Sequence, residues 1–274
     1  MKNKTVKYLW DAAWYIIVFL LIALAVNIAG AFVWSQYSGQ DYMAVVNGMA
    51  YGSYSQLTIL CNIVSGIITI VLFALMKWSP ASRRFIRSRP WAIIVWTILL
   101  ALGSILPMEW LYEQLQLAMD DQTEALFEGI MREPLGYIAI GIMAPIVEEM
   151  VFRGAVLRVL LKVFNSNMHW VAISISALIF ALVHANLAQG VHAMIAGLLL
   201  GWLYYRTNSI VPGIVLHWVN NTVAYLSFNF MPEMNDGKVI NLFNGNETTM
   251  YMALGFSLLV FLPSLFQLAI RMKK

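Results

Sequence analysis

Charged residues are scarce in this sequence. Asp, Glu, Lys and Arg together make up 11% of its 274 residues, whereas a soluble globular domain carries about a quarter. Hydrophobic residues make up 61%. The shortage of charge excludes an ordinary soluble domain and indicates an integral membrane protein, surrounded by membrane lipids. Because the net charge is only +3, we expect no nucleic-acid partner.

Cysteine is almost absent as well, since Cys61 is the only one. A single cysteine excludes an intrachain disulfide and a zinc site built from cysteines. The sequence also lacks HExxH, which excludes that helix-borne zinc site. No serine lies in a nucleophile motif, and Cys61 lies in an apolar run, so covalent catalysis is not expected.

Long apolar segments are what the sequence has in abundance. A membrane-spanning helix needs about 20 mostly apolar residues. Eight segments are candidates, and they suggest an all-α, polytopic membrane helix bundle with about eight transmembrane helices. The segments are residues 13–34, 57–76, 91–107, 135–157, 169–186, 190–205, 210–230 and 250–270.

Basic residues orient these predicted helices. If the segments alternate across the bilayer, the loops on one side hold only Arg132 and Lys238. Because basic loops stay in the cytoplasm, we expect the N-terminus and the C-terminus to be cytoplasmic. The compact loops fit the plasma membrane of a bacterium, which is the location we expect. The residues on the cytoplasmic side are Lys2, Lys4, Lys7, Lys77, Arg83, Arg84, Arg87, Arg89, Arg158, Lys162, Arg206, Arg271, Lys273 and Lys274.

The polar residues divide the chain into three predicted parts. Residues 1–134 form a scaffold of three helices and an acidic outer loop, 108–134, whose apolar residues have helical spacing. We interpret that loop as a helical hairpin or surface helix packed on the bundle, rather than as a lid. Residues 135–230 form a four-helix core that carries the polar residues, and residues 231–274 form an outer loop and the last helix.

The segment "GIMAPIVEEMVFRGAV", residues 141–156, places two carboxylates in a predicted span. Glu149 and Arg153 are four residues apart, in the favourable order for an ion pair on a helix. Glu148 points about 100° away and has no such partner on its own helix. An intramembrane carboxylate is a candidate functional residue by default. Pro145 predicts a kink or a locally open backbone just before the pair.

Two later spans carry histidines. His184 follows Phe180 by one turn in "LIFALVHAN", and His217 shares a helix face with Asn221 in "HWVNN". At 1.5 Å per residue from the predicted span ends, Glu148 and His217 lie ~15 Å deep and His184 ~22 Å deep. We therefore predict that one carboxylate and two imidazoles meet near the middle of the bilayer.

Such a cluster suits the hydrolysis of a peptide bond. Glu148 can accept a proton from water, and His184 can hold the water or share the proton. His217 and Asn221 can donate hydrogen bonds to the oxyanion. Alternatively, Glu148, His184 and His217 can bind Zn²⁺, which activates water as a Lewis acid. The sequence leaves the choice of cofactor open.

The three motifs resemble those of a known family. "EEMVFR" matches EExxxR, "FALVH" matches FxxxH and "HWVNN" matches HxxxN, in that order on separate helices. This ordered set, over residues 145–221, resembles the CAAX protease and bacteriocin-processing (CPBP, or Abi) family of intramembrane proteases. The resemblance implies that Glu148 and His184 activate water and that His217 and Asn221 stabilise the oxyanion or bind metal.

The resemblance also implies supporting roles. The candidate catalytic residues are Glu148, Glu149, His184, His217 and Asn221, and the supporting residues are Arg153 and Phe180. Family members are described both as metalloproteases and as metal-independent glutamate proteases. The resemblance therefore implies no choice between catalysis with a metal ion and catalysis without one. The implied substrate is a membrane-associated peptide: a bacteriocin, a peptide precursor or a lipidated protein.

Two other functions compete with an intramembrane endopeptidase. The first is a non-catalytic bacteriocin-immunity or partner-binding membrane protein that keeps the polar core for stability. The second is a transporter with a proton relay, which often shows repeated halves. The sequence contains no evident repeat, so the transporter ranks last.

Overall fold

The computed structural model describes residues 2–80, 82–164, 166–231 and 238–272. Within these ranges the regular elements are helical and no strand occurs, which confirms the all-α prediction. Lys273 and Lys274, which contributed to the predicted orientation, lie outside the described residues, as do residues 232–237 of the predicted outer loop.

The described residues contain twelve α-helices. These are α1 (Lys2–Ser38), α2 (Tyr42–Ala50), α3 (Ser55–Leu75), α4 (Arg83–Arg87), α5 (Trp91–Gln114), α6 (Asp121–Arg132), α7 (Ala144–Glu148), α8 (Arg158–Val163), α9 (His169–Leu182), α10 (Leu187–Thr207), α11 (Val211–Phe230) and α12 (Glu247–Arg271). Two π-helical segments, Tyr137–Met143 and Glu149–Leu157, flank α7, and short 3-10 helices form at Ser166–Met168 and Val239–Phe243.

Several of these helices are long and apolar enough to cross a membrane. Among the described residues there are five such helices, or six if the bent pair Asp121–Arg132 and Tyr137–Val163 is one span. The five are Lys4–Ser38, Ser55–Leu75, Trp91–Gln114, Leu187–Thr207 and Glu247–Arg271. The chain is therefore a multi-pass membrane protein, while the count of eight and the orientation of the termini stay predictions.

The bend in that pair measures 98° and lies between α6 and the first π-helical segment. Gly136 lies at this bend, where an added Cβ would press into the carbonyl oxygen of Ile130. Glycine is therefore required there by close backbone approach. The acidic segment predicted as a surface helix does form α6, which packs against α3 through Leu126, Ile130 and Ile59.

Two compact units contain the helices. The first unit comprises the described residues of 1–81 and 119–202, and the second those of 82–118 and 203–274. The three-part division predicted from the sequence is a different one, and it stays a prediction.

Close helix contacts hold the first unit together. Gly30 of α1 lies against Cys61 of α3, and Gly197 and Gly201 of α10 lie against Ala177 and Ile173 of α9. In lipid, helix association relies on such close packing because the bilayer is as apolar as a leucine side chain. Glycine at positions 197 and 201 therefore lets α9 and α10 approach each other closely.

The second unit is built on α5, which packs against α11 and α12. Gly103 of α5 lies against the backbone of Phe261 in α12. Arg206 donates from Nε to the carbonyl oxygen of Met272 (2.6 Å) and from Nη2 to that of Ala269 (2.7 Å). A guanidinium here satisfies carbonyl groups that the end of α12 would otherwise leave without a donor.

Candidate active site

The helix that carries the adjacent glutamates is not a regular α-helix. Its backbone is π-helical over Tyr137–Met143, α-helical over Ala144–Glu148 and π-helical again over Glu149–Leu157. The first π-helical segment ends two residues before Pro145, where the sequence predicts a kink or an open backbone. π-Helical turns are rare and occur often at functional sites. All nine residues of the second segment are buried.

Glu149 and Arg153 form the predicted ion pair inside this buried segment. Arg153 donates from Nη1 to Oε1 of Glu149 at 2.7 Å. The Glu149 side chain is 0% exposed and that of Arg153 1%. Because both charges are sealed from solvent, their attraction is little screened, but each also loses its hydration. The pair therefore depends on its geometry, and removing either partner would leave a buried charge.

Phe180 of α9 packs against the guanidinium group of Arg153. The Cζ atom of Arg153 lies 4.4 Å from the centre of the Phe180 ring, in a cation–π contact. Phe152 packs on the same ring with centroids 4.9 Å apart. Gly197 leaves room for this arrangement, because an added Cβ would lie 3.4 Å from Nη2 of Arg153 and 2.9 Å from Cβ of Ala177.

His184 lies two residues beyond the end of α9, which ends at Leu182 rather than at the predicted residue 186. Its ring stands edge-on to Phe180, with centroids 4.9 Å apart and an interplanar angle of 89°. Nδ1 lies 2.8 Å from the carbonyl oxygen of Phe180. A carbonyl oxygen only accepts, so Nδ1 carries a proton and neutral His184 has its lone pair on Nε2.

Glu148 is half-buried and belongs to the end of α7. Glu148 has no basic residue at the i+4 spacing on its own helix, but Arg153 attracts it electrostatically in addition to Glu149. One guanidinium thus offsets part of the charge of two neighbouring carboxylates. Glu149 is sealed and hydrogen-bonded to it, while Glu148 keeps an accessible surface.

His217 and Asn221 belong to the second unit, on α11, and both are half-buried. Their spacing of four residues places them on one face of a single helix, as predicted. Glu148, Glu149, Arg153, Phe180 and His184 all belong to the first unit. The meeting of the two sets in one pocket stays a prediction.

The predicted metal set, Glu148, His184 and His217, also draws on both units and stays a prediction. Within either unit, the described residues contain no group of three or more His, Cys, Asp or Glu side chains placed to hold a metal ion. The chemistry of the set nevertheless suits zinc, because an imidazole that binds a metal usually donates its other N–H to a carbonyl or carboxylate, as His184 does.

Ser176, which the sequence analysis did not identify, helps to hold α9 against the helix that carries the glutamates. Its Oγ donates to the carbonyl oxygen of Phe152 at 3.1 Å and ties α9 to the second π-helical segment. Ser176 precedes Phe180 by four residues and is buried on the same face. A serine one turn before the FxxxH motif, in an apolar helix, is the signal that would have identified it.

The comparisons with known proteins agree with the motifs. Residues 131–223 match the family model described as Type II CAAX prenyl endopeptidase Rce1-like. A protein of Bacillus subtilis (strain 168), named "Putative membrane peptidase YdiL", is 31% identical over 106 residues, which are 39% of this chain and 42% of that protein. No solved structure matches the chain.

The matched segment contains all three motifs, EEMVFR, FALVH and HWVNN. The resemblance to the CAAX protease family of membrane proteases is therefore confirmed for this part of the chain. The chain spans less than half the length of the Bacillus relative, so the activity of the whole protein is a matter for proposal.

Proposed function

We propose that this protein is an intramembrane endopeptidase that hydrolyses a peptide bond in a membrane-associated peptide or protein. The observation that carries the proposal is the orientation of His184. Its Nδ1 is held by the carbonyl oxygen of Phe180, which leaves Nε2 to receive a proton or to bind the attacking water. The family match over residues 131–223 supports the same reaction class.

In the proposed reaction, Glu148 is the general base. Water, held by Nε2 of His184, gives a proton to the Glu148 carboxylate while its oxygen bonds to the scissile carbonyl carbon. The carbonyl electron pair moves to oxygen, where His217 and Asn221 donate hydrogen bonds to the oxyanion. When the tetrahedral intermediate collapses, the C–N bond breaks and Glu148 returns its proton to the leaving amine.

Glu149, Arg153 and Phe180 act as supports in this scheme. The ion pair fixes the turn that follows Glu148, and Phe180 links the guanidinium to the His184 ring. If the enzyme is a metalloprotease, Glu148, His184 and His217 would hold Zn²⁺, which supplies a Lewis acid for the water and the carbonyl. Glutamate-type and metallo-type chemistry use the same residues.

The proposed substrate is a lipidated or hydrophobic peptide that approaches within the membrane. The family description points first to a prenylated C-terminal peptide, and a bacteriocin or a peptide precursor would suit the same site. The Bacillus relative, whose name includes "membrane peptidase", supports a membrane location in a bacterium, and the proposed membrane is the plasma membrane.

Cleavage by purified protein tests the proposal. We expect the protein in lipid nanodiscs to cleave a farnesylated CAAX peptide, and the Glu148→Gln variant to lose about 10²-fold or more of that activity, since the general base is removed. Glu124→Gln is the matched control, because Glu124 is an exposed carboxylate on α6. Metal analysis of the same samples distinguishes the two chemistries.

A second measurement removes the dependence on one substrate. New peptide termini in the membrane proteome of cells that produce the wild type are compared with those in cells that produce Glu148→Gln. If neither the peptide nor any cellular protein is cleaved in a Glu148-dependent way, the protease proposal is wrong, and a non-catalytic immunity or binding function takes its place.

A further inference from the structure

His184 lies in a connection of four residues, 183–186, between α9 and α10. Its backbone N–H donates to the carbonyl oxygen of Ala181, and that of Ala185 donates to Leu182, both at 3.2 Å. Ala185 then adopts a left-handed conformation with φ of 54°. This conformation is unfavourable for a residue with a Cβ, so contacts outside the connection must hold it.

Asn186, the next residue, makes contacts outside the connection through both polar atoms of its side-chain amide. Its Oδ1 accepts a hydrogen bond from the backbone N–H of Gln189 at 3.2 Å and so caps the start of α10. Its Nδ2 donates to Oδ2 of Asp120 at 2.8 Å. Asp120 lies 66 residues away along the chain, at the start of α6.

Asp120 is itself a helix cap. Its Oδ1 accepts from the backbone N–H of Thr123 at 3.0 Å, and its Oδ2 accepts from Oγ1 of Thr123 at 2.7 Å. One carboxylate therefore joins the first turn of α6 to the first turn of α10. Because α6 is packed on α3 through Ile130 and Leu126, Asp120 gives the connection a fixed point outside α9 and α10.

From this contact we propose that Asp120, acting through Asn186, is a positioning residue for His184. The proposal rests on the proposed function, in which Nε2 of His184 must face the attacking water. The hydrogen bond to Asp120 fixes the position of Asn186. Because Ala185, between His184 and Asn186, is held in a left-handed conformation, the position of Asn186 also fixes the backbone of His184. The imidazole then keeps its hydrogen bond to the carbonyl oxygen of Phe180. A misplacement of about 1 Å at a catalytic group can cost about 10²-fold in rate.

An exchange of the two side chains tests this pair. Asn186→Asp keeps a good helix cap but places a carboxylate oxygen against that of Asp120. Adding Asp120→Asn restores one donor and one acceptor with both caps intact. We expect Asn186→Asp to lower kcat about 10-fold or more with little change in KM. The double variant should return to within about 3-fold of the wild type.

The matched control is Asn246→Asp. Asn246 caps α12 by accepting from the backbone N–H of Thr249 at 3.0 Å, so the same substitution is made at a cap of another helix. We expect this variant to cleave the farnesylated peptide at the wild-type rate. Circular dichroism of all four proteins checks that each is folded.

Histidine NMR provides a readout that does not depend on cleavage. The sequence has four histidines, so ¹⁵N-histidine labelling gives four ring systems, and the signal absent in His184→Gln is that of His184. We expect Asn186→Asp to shift or broaden the His184 Nδ1–H signal, the double variant to restore it, and Asn246→Asp to leave it unchanged.

The two readouts separate this proposal from the proposed function. If the wild type cleaves nothing but the His184 signal follows the exchange, the positioning role stands and the protease function fails. If the His184 signal is the same in the wild type and Asn186→Asp, or if the double variant fails to restore it, the positioning role is wrong whatever the cleavage rates are.

Discussion

The buried pair of Glu149 and Arg153 gives the sharpest prediction for stability. A surface ion pair contributes about 0–1 kcal/mol, whereas removing one partner of a buried pair costs about 3–5 kcal/mol. The side chains here are 0% and 1% exposed and joined at 2.7 Å, which places them in the second class. We therefore expect Arg153→Met and Glu149→Met each to lower the free energy of unfolding by about 3–5 kcal/mol.

The double variant Glu149→Met/Arg153→Met separates the charge from the packing. Apolar side chains of similar volume often replace a buried ion pair at no net cost. We expect the double variant to recover most of the lost stability, less about 2 kcal/mol for the cation–π contact between Arg153 and Phe180. Reversible unfolding by SDS in mixed micelles measures all four proteins as a double-mutant cycle.

The cycle can refute the reasoning in two ways. A single variant that is as stable as the wild type would show that the charges are not sealed. A coupling energy below about 1 kcal/mol would show that the pair behaves like a surface pair. The cleavage rate of the double variant then tests whether this pair is needed for the chemistry, because a stable double variant that still cleaves would show that neither Glu149 nor Arg153 is catalytic.

Two further predictions follow from other contacts. Gly197→Val places a side chain against Ala177 and the Arg153 guanidinium and should cost about 1–3 kcal/mol in the same SDS assay, whereas Gly255→Val, which meets no atom within 4 Å, should be better tolerated. Hydrogen bonds from Thr123 and then Asn186 lower the pKa of Asp120 from 3.8 to about 2. This carboxylate therefore adds stability above pH 3.8 that is lost as the pH falls towards 2. In Asn186→Ser, ¹³C NMR should show that pKa only partly raised, because the Thr123 bonds remain.

Local spacing explains what the sequence could predict of the site. The contact between Glu149 and Arg153 and the one between Phe180 and His184 are each set by a spacing of four residues, the first within one π-helical segment and the second across the end of α9. The apolar spacing of the acidic segment likewise predicts α6 without reference to its partners. Such features depend on neighbours in the chain, and the sequence shows them directly.

Other features depend on distant contacts, and the sequence does not show them. The bond between Asp120 and Asn186 joins residues 66 positions apart. Hydropathy sums apolar residues along the chain and cannot detect the 98° bend between α6 and the segment that follows it. The early end of α9 depends on a left-handed alanine, where neither glycine nor proline marks the break.

The two adjacent glutamates differ in their surroundings, and this difference supports their separate roles. Glu149 begins a segment of nine buried residues, and its Oε1 accepts a hydrogen bond from Nη1 of Arg153 at 2.7 Å, so water can reach this carboxylate only if the segment opens. Glu148 ends α7, half-buried, and can be reached without opening that segment. Neighbouring carboxyl groups in unlike environments commonly divide the chemistry between them. Loss of the Glu148 carboxylate should therefore abolish cleavage in a stable protein, whereas loss of the Glu149 carboxylate should destabilise the fold first.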